Sequence, residues 1–344
     1  MSSLTDAALF SKKAFFWGII AIAVVIALMI FMGIGGSIKK AFFPPPPTPA
    51  TVAFGKLPSQ IFTEGYKPNT QVTYELQTIS GGFGDLPTFA KVFAVIMPDA
   101  SFGAAENITD RARSLGFEEK PIEVKSGQFE FSNPDEKGKT LTVDSVSGNF
   151  TLETEYVDNP DVISEHPESE EAAIEVATDF FDQYDLDLSD YPAEKITTRK
   201  LRIDGGKLTE TQSLSSANVV EVNFNRDALD NVPVFWSKEN GAGITAIVSG
   251  QDVVYAKVLK SPIAKSKFAT YPLRHPAEAF EDLKKGNAFF NKPVTSGRAT
   301  IIDVTLAYVE GENTRDYLQP VYLFKSSDDL LGFVSAIDPN WVGK

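Results

Sequence analysis

The stretch EEAAIEVATDFFDQY, residues 170–184, carries the clearest structural pattern in this chain of 344 residues. That pattern predicts an amphipathic helix with one buried face, because apolar residues three and four positions apart share one face of an α-helix. The residues on the predicted apolar face are Ala173, Val176, Ala177, Phe180, Phe181 and Tyr184.

Two further helices and many strands are expected around this one. The helices are expected at 101–115 and 276–285, and a run of strands follows each of the three. Segments with alternating or continuous apolar character predict strands at 71–78, 90–97, 128–131, 140–144, 149–156, 195–203, 207–214, 219–225, 234–236, 244–249, 253–259, 299–309, 318–325 and 331–337. The expected fold class is therefore α+β, built of helix-on-antiparallel-sheet units.

Residues 165–338 resemble a known family through the order of their segments. EEAAIEVATDFFDQY (170–184) is followed by ITAIVSGQDVVYAKVLK (244–260), YPLRHPAEAFEDLK (271–284), IIDVTLAY (301–308) and YLQPVYLF (317–324). This series resembles the extracytoplasmic YycH/YycI regulators of a cell-wall sensor kinase and their PepSY-like units. The resemblance implies a pair of late strands that closes each unit, here Val304, Leu306 and Tyr308 with Leu318, Pro320, Val321, Tyr322 and Phe324. It also implies a regulatory protein of the bacterial cell envelope.

The resemblance and the chain's own pattern give the expected division. Residues 57–160 form a first α+β unit, and residues 161–344 form a YycI-like region with two helix–sheet units. The proline linker and the strands at 70–156 depart from the family pattern, which leaves the partner kinase open.

Residues 14–36, AFFWGIIAIAVVIALMIFMGIGG, contain no charged side chain. At about 1.5 Å per residue, a helix of this length spans a hydrocarbon core of roughly 30 Å. The pattern favours a retained transmembrane helix over a signal peptide, whose apolar region is shorter. Lysines flank it on both sides: Lys12, Lys13, Lys39 and Lys40.

The orientation does not follow from charge, because each flank holds two lysines. The short head at 1–13 favours a cytoplasmic N-terminus and an extracytoplasmic C-terminal domain, in a single-pass protein of the cell membrane. Residues 37–56 form a basic flank and a linker with four consecutive prolines, which favours a stiff extended spacer.

Composition limits the classes of function. The formal net charge is −14, and residues 1–56 carry five lysines and one aspartate, which leaves −18 for the rest. Such an acidic body repels nucleic acid, so we expect no nucleic-acid partner. The chain has no cysteine, which excludes disulfides and thiol catalysis. It also contains no GxSxG, HExxH or phosphate-loop motif.

Fourteen acidic residues and no Lys or Arg occur in residues 153–190. Four of them crowd the end of the second helix and are weak candidates for a Ca²⁺ site: Asp182, Asp185, Asp187 and Asp190. Their spacing lacks the glycine and the closing glutamate of an EF-hand loop, so a solvated acidic face is the preferred interpretation. We therefore expect no metal and no cofactor.

A stretch with the opposite charge lies at 253–277, where no acid occurs. It pairs with the acidic segment in the fold or presents a basic rim to a partner. Its basic residues are Lys257, Lys260, Lys265, Lys267 and Arg274.

The two histidines, His166 and His275, each precede a proline. Because proline favours the first position of a helix, both are expected beside helix N-termini, in a structural rather than a catalytic role.

These observations together predict a non-catalytic binding or regulatory protein, anchored through 14–36 and docked on another membrane or envelope protein. A structural envelope protein with a stalked ectodomain is the alternative, and a hydrolase of wall polymer is a third. A homo-oligomer is compatible with each of these.

Overall fold

The computed structural model of the chain describes residues 50–60, 66–67, 72–96, 104–136, 138–159, 162–163, 165–239, 241–294, 297–311 and 316–343. The predicted head, the predicted membrane helix at 14–36 and the four flanking lysines lie outside these residues. No helix in the described ranges is both long enough and apolar enough to cross a membrane.

The described part of the chain forms three α-helices: α1 (Ala104–Ser114), α2 (Glu170–Gln183) and α3 (Pro276–Lys284). Local chemistry accounts for where two of them begin. The side chain of Ser169 caps α2 by accepting a hydrogen bond from the Ala172 amide at 3.0 Å. At α3, His275 is the capping residue and Pro276 opens the first turn.

Eighteen strands in the described ranges form three sheets. The strands of a nine-stranded antiparallel sheet are β3 (Ile122–Lys125), β4 (Gln128–Ser132), β5 (Thr140–Asp144), β6 (Phe150–Glu153), β7 (Ile196–Asp204), β8 (Lys207–Glu210), β9 (Val219–Phe224), β11 (Ile244–Ser249) and β12 (Asp252–Val258). Their order in the sheet is β3-β4-β5-β6-β12-β11-β9-β7-β8.

The six strands of the second sheet are β1 (Thr73–Leu76), β10 (Val234–Trp236), β14 (Phe289–Phe290), β15 (Arg298–Glu310), β17 (Pro320–Ser326) and β18 (Leu331–Ser335). Their order is β1-β15-β17-β18-β14, and β10 also pairs with β15. The three strands of the third sheet are β2 (Phe89–Val95), β13 (Ile263–Pro272) and β16 (Tyr317–Leu318), in the order β13-β2-β16.

Two strand pairs differ from the antiparallel sheets that we expected. Both β1 and β10 run parallel to β15, against different parts of that thirteen-residue strand. Parallel neighbours need a long crossover connection, and the chain between each of these strands and β15 supplies it. The six-stranded sheet is therefore mixed.

The larger core lies between the nine-stranded sheet and helices α1 and α2. From α2, Ala173, Ala177 and Phe181 are buried, and the Tyr184 side chain beside the helix end is fully buried. The central strands of the sheet contribute apolar side chains from every second position to this core, as in Val220, Val222 and Phe224 of β9. The helix predicted from residues 170–184 thus packs on a sheet through its predicted face.

A second core lies between α3 and the six-stranded sheet. Phe280 and Leu283 of α3 pack there with Ile301 and Phe324 of the sheet. The fold is mostly β-sheet with three helices in the described ranges, and it is of the α+β class.

Strands from before residue 160 pair with strands from after residue 161, across the predicted boundary between two units. Strand β6 pairs with β12 in the nine-stranded sheet, and β1 and β2 pair with β15 and β13. Residues 50–344 accordingly form one compact unit. Strands from distant parts of the chain therefore share the same sheets.

The two ends of this unit pair with each other. Leu57, which is fully buried, forms a parallel bridge with Val342. The Leu57 amide donates to the Trp341 carbonyl at 2.8 Å, and the Gly343 amide donates to the Leu57 carbonyl at 2.7 Å. The Leu57 backbone is therefore hydrogen-bonded to residues near position 342.

Candidate functional site

A groove of 670 Å³ lies beside α2. Five separate segments form its walls: the end of α1, the β4–β5 loop, the residues after β6, one side of α2 and the β11–β12 hairpin. Ligand sites in proteins commonly measure about 300 to 1,000 Å³, so the volume suits a small ligand or a few residues of a partner.

The floor of the groove is apolar. Val176 and Phe180 of α2 and Val253 and Val254 of β12 line it. The ring of Phe180 is held from behind by an edge-on contact with Phe181, at 5.4 Å between ring centres. Because Phe180 is only half-buried, it presents part of its ring to whatever enters the groove.

The rim of the groove is polar and mostly acidic. Among the described residues that line it, Glu136, Asp179 and Asp252 are carboxylates and Lys139 is the basic residue. The Lys139 ammonium donates to both oxygens of Glu136 at 3.0 Å, so this lysine is already engaged. The arrangement favours a partner with an apolar side chain and positive charge beside it.

Hydrogen bonds between the segments hold the walls in place. The Ser114 hydroxyl at the end of α1 donates to the Gln183 carbonyl of α2 at 2.6 Å. The Thr154 hydroxyl donates to the Val254 carbonyl at 2.7 Å. A preformed groove loses little entropy when a partner binds, which favours affinity.

The four acids that were weak candidates for calcium point to different places. Asp182 is exposed, Asp185 pairs with Arg111 of α1 at 3.0 Å, and Asp187 lies 3.7 Å from the ammonium of Lys260. Asp190 contacts Arg226 and Lys265, both at 2.6 Å. Three of the four carboxylates thus meet basic side chains, and no group of three or more His, Asp or Glu side chains in the described ranges is placed to hold a metal ion.

Hydrogen bonds also change the acidity of Asp187. The amide and hydroxyl of Ser189 donate to its carboxylate, and together with Lys260 they hold the pKa of Asp187 below its ordinary value.

The basic stretch at 253–277 is divided among several partners. Lys260 and Lys265 reach Asp187 and Asp190, which belong to the acidic segment. Arg274 pairs with Asp282 of α3 at 2.6 Å. Lys257 lies on β12, and Lys267 is exposed in an irregular part of β13 where the register with β2 shifts. Three of the five basic residues thus meet carboxylates, and two of those carboxylates belong to the acidic segment.

The two histidines differ in their placement. His275 caps α3, and its Nδ1 accepts a hydrogen bond from the Ala277 amide at 3.2 Å. His166 lies before the Ser169 cap, so His166-Pro167 does not open α2 as expected. Its Nδ1 is instead 2.8 Å from the Ala217 carbonyl.

Sequence reasoning missed a buried network of charged side chains around Arg226, whose side chain is 2% exposed. The Arg226 guanidinium donates to Glu310 at 2.9 Å, to Asp190 at 2.6 Å and to the Tyr191 hydroxyl at 2.9 Å. It also donates to the Ser261 carbonyl at 2.9 Å. Since Arg226 follows β9 and Glu310 ends β15, the network joins the nine-stranded sheet to the six-stranded one.

Burial dominates the electrostatics of this network. It raises the pKa of Glu310, because desolvation of its carboxylate outweighs the opposing effect of Arg226. One oxygen of Glu310, Oε1, has no hydrogen-bond partner within the described ranges. Arg226 and Glu310 are 84 positions apart in the sequence. No sequence motif links two residues at that distance, so the pair becomes visible only in the folded chain.

Comparisons with known proteins give no identity. No protein-family model matches the chain, and no curated protein matches it. Among solved structures, the chain is similar to an uncharacterized protein from Eubacterium rectale ATCC 33656. The match covers 79% of this chain and 84% of that one, with 11% sequence identity and a TM-score of 0.39.

Proposed function

We propose that this chain is a membrane-anchored, extracytoplasmic binding and regulatory protein that is not an enzyme. In this proposal residues 14–36 hold it in the cell membrane, with the N-terminus in the cytoplasm. The α+β body docks on another membrane or envelope protein, such as a sensor kinase. The YycH/YycI resemblance of residues 165–338 supports the regulatory part of the proposal.

The observation that carries the proposal is the groove beside α2. It combines a partly exposed aromatic floor with an acidic rim and with walls held by hydrogen bonds. A partner segment with an apolar side chain would bury that side chain against Phe180, and a neighbouring Lys or Arg of the partner would meet Asp179. Burial of one such side chain contributes about 1.5 to 3 kcal/mol, and the charges add specificity and speed of association.

Crosslinking from single cysteines tests this proposal, because the natural chain has none. Gln183→Cys places a thiol on the groove wall, and Asp182→Cys places one on the neighbouring exposed position, which does not line the groove. Each variant is expressed full-length in its own cells, and intact membranes are treated with a thiol-reactive photocrosslinker. Mass spectrometry then identifies the products.

We expect position 183 to capture one membrane or envelope protein and position 182 to capture it far less. Equal capture from both positions would refute docking in the groove. Products that contain only this chain would favour the structural envelope protein over the regulator.

A topology measurement tests the anchor separately. Ser80 is exposed, and a Ser80→Cys variant should react with a membrane-impermeant maleimide in intact cells. Labelling only after the cells are permeabilised would place the folded body in the cytoplasm and would contradict the proposed orientation.

A further inference from the structure

Helix α2 presents two neighbouring rows of side chains at the groove. Val176 and Phe180 line the groove four positions apart, so they form an apolar row on one line of the helix. Glu175 and Asp179 are also four positions apart and form an acidic row on the adjacent line. Both apolar side chains are partly exposed and both carboxylates are exposed. A partner can therefore reach both rows at once.

The acidic row has no counter-charge within the protein. Neither the Glu175 nor the Asp179 carboxylate has an ion-pair or hydrogen-bond partner among the described residues. Glu170, by contrast, accepts from Lys200 at 2.8 Å. Helix α2 contains five acidic residues and no Lys or Arg, so it supplies no cation of its own.

This row also works against the helix that carries it. Glu171 with Glu175, and Glu175 with Asp179, are pairs of like charge at a spacing of four residues. Such pairs destabilise an isolated helix, because the two side chains are neighbours on its surface. A partner that brings positive charge beside Glu175 and Asp179 would remove this repulsion, so charge complementarity points to a cationic partner.

A second apolar wall faces the apolar row of α2. Leu115, at the end of α1, and Val253 of β12 line the groove and are partly exposed. They pack against the same core as Val176 and Phe180. An apolar side chain of a partner would therefore be covered from two sides.

The spacing of the two rows suits a helix. Side chains four positions apart on a helix have Cβ atoms about 5 to 6 Å apart, in α2 and in a partner helix alike. In a strand, successive side chains on one face are about 6.6 Å apart, so the two series drift out of step. Parallel apolar and charged rows with the spacing of one helical turn therefore favour a helical partner over an extended one.

We infer that the partner segment that occupies the groove is a cationic amphipathic helix lying along α2. Two of its apolar side chains, one turn apart, pack on Val176 and Phe180. Two Lys or Arg side chains on the adjacent line meet Glu175 and Asp179. The inference rests on the proposed function and specifies the chemistry of the partner segment.

Fluorescence anisotropy with labelled synthetic peptides tests the inference on the full chain in detergent micelles, with binding to empty micelles subtracted. The probe is a peptide of about 18 residues, long enough to form a helix, with Leu and Lys on adjacent lines and Ala elsewhere. One comparison peptide has Gln for Leu, a second has Glu for Lys, and a third has Leu and Lys in strict alternation. We expect saturable binding of one probe per chain, and at least about tenfold weaker binding of each comparison peptide. Equal binding of any comparison peptide would overturn the inference.

Two double variants locate the binding on α2. Glu175→Lys with Asp179→Lys reverses the acidic row and should weaken the probe at least about tenfold. Glu171→Lys with Asp182→Lys changes the charge of the same helix by the same amount, at exposed positions further around it from the groove. This control should stay within about threefold of the natural chain, because solvent and salt screen the more distant charges. Equal affinity in the two double variants, with both folded by circular dichroism, would refute the assignment.

Crosslinking from position 183 separates this inference from the proposed function. If that position captures one membrane or envelope protein but the probe does not bind the folded natural chain, the cationic helix is wrong and docking in the groove stands. If position 183 captures no other protein, docking itself is wrong.

Discussion

Removal of Arg226 should be among the most destabilising single changes in this protein. An Arg226→Met variant keeps most of the buried volume but deletes the donor of four hydrogen bonds, to Glu310, Asp190, Tyr191 and the Ser261 carbonyl. Glu310 then loses its cation, while the other oxygen of the carboxylate already has no partner in the described ranges. Removing one member of a buried ion pair costs about 3 to 5 kcal/mol, and we expect a loss of that size at pH 7.

Urea unfolding followed by tryptophan fluorescence measures this loss. Trp236 lines the small cavity next to Arg226 and Glu310, so its emission reports on the region directly. The slope of the unfolding free energy against urea should not change, since the variant exposes the same surface on unfolding. The thermal midpoint should fall by roughly 10 °C.

The loss should depend on pH in a defined direction. Because burial raises the pKa of Glu310, the folded protein binds its proton more readily than the unfolded chain above the ordinary value of 4.5. The associated stability is therefore present at low pH and declines as the pH rises through the raised pKa. Without Arg226 the pKa rises further, so the difference between the variant and the natural chain should be smaller at pH 5 than at pH 7.

A double variant and a surface control test the predicted effect of Arg226→Met. Adding Glu310→Gln to Arg226→Met should restore part of the stability, because the second change removes the unpaired carboxylate. Arg202→Met is the control: its side chain is 51% exposed and pairs only on the surface with Asp204, so its loss should stay below about 1 kcal/mol. A loss below about 1 kcal/mol for Arg226→Met at pH 7, or a difference that grows at low pH, would refute the reasoning.

Three further changes have expected effects on the free energy of unfolding, each measurable by the same urea titration. Phe181→Ala should cost about 3 to 5 kcal/mol, because the ring is fully buried under α2; a loss below about 1 kcal/mol would contradict its place in the core. Ser169→Ala removes the N-cap of α2 and should cost about 1 kcal/mol, whereas Ser169→Asp should retain most of the stability. Gly250→Ala should cost about 1 to 3 kcal/mol, since its φ is +54° and an added Cβ would lie 2.8 Å from Glu165; Gly82→Ala, with open space around it, should change little.

The elements with strong periodicity could be predicted from the sequence. The apolar stripe in residues 170–184 gave the buried face of α2, and β5, β10 and β11 have the predicted bounds. These segments succeed because side-chain burial alone decides their pattern: period 3.6 in the helix and continuous or alternating apolar residues in the strands.

Some strands left no usable pattern. In β13 the sequence IAKSKFATYP places lysines in the middle of the strand, and the register with β2 shifts between Ala264 and Phe268. The shift breaks the alternation that would reveal a strand. Strand β3 is short and exposed along its whole length, so burial imposes no pattern on it.

The helix start at α2 was misplaced for a related reason. Pro167 suits a first helical turn, but Ser169 accepts a hydrogen bond from Ala172 and is the better cap. Two competing start signals within three residues cannot be ranked until the backbone is known.

The groove and the Arg226–Glu310 pair could not be predicted from the sequence. The groove draws its lining from five segments, and the charged pair Arg226–Glu310 joins residues from two different sheets. Acidic and basic stretches were visible in the sequence, but the sequence does not say which carboxylate meets which cation. That assignment depends on strand order, and in this fold strand order brings together distant parts of the chain.

The bridge between Leu57 and Val342 has a consequence for biosynthesis. In the described part of the chain the Leu57 backbone is hydrogen-bonded to Trp341 and Gly343, so this buried leucine reaches its final contacts only after the ribosome has released residue 343. Contacts of such long range are slow to form. A chain that stops before residue 341 would leave the Leu57 amide and carbonyl without these partners, and we expect proteases to degrade it faster than the longer chain.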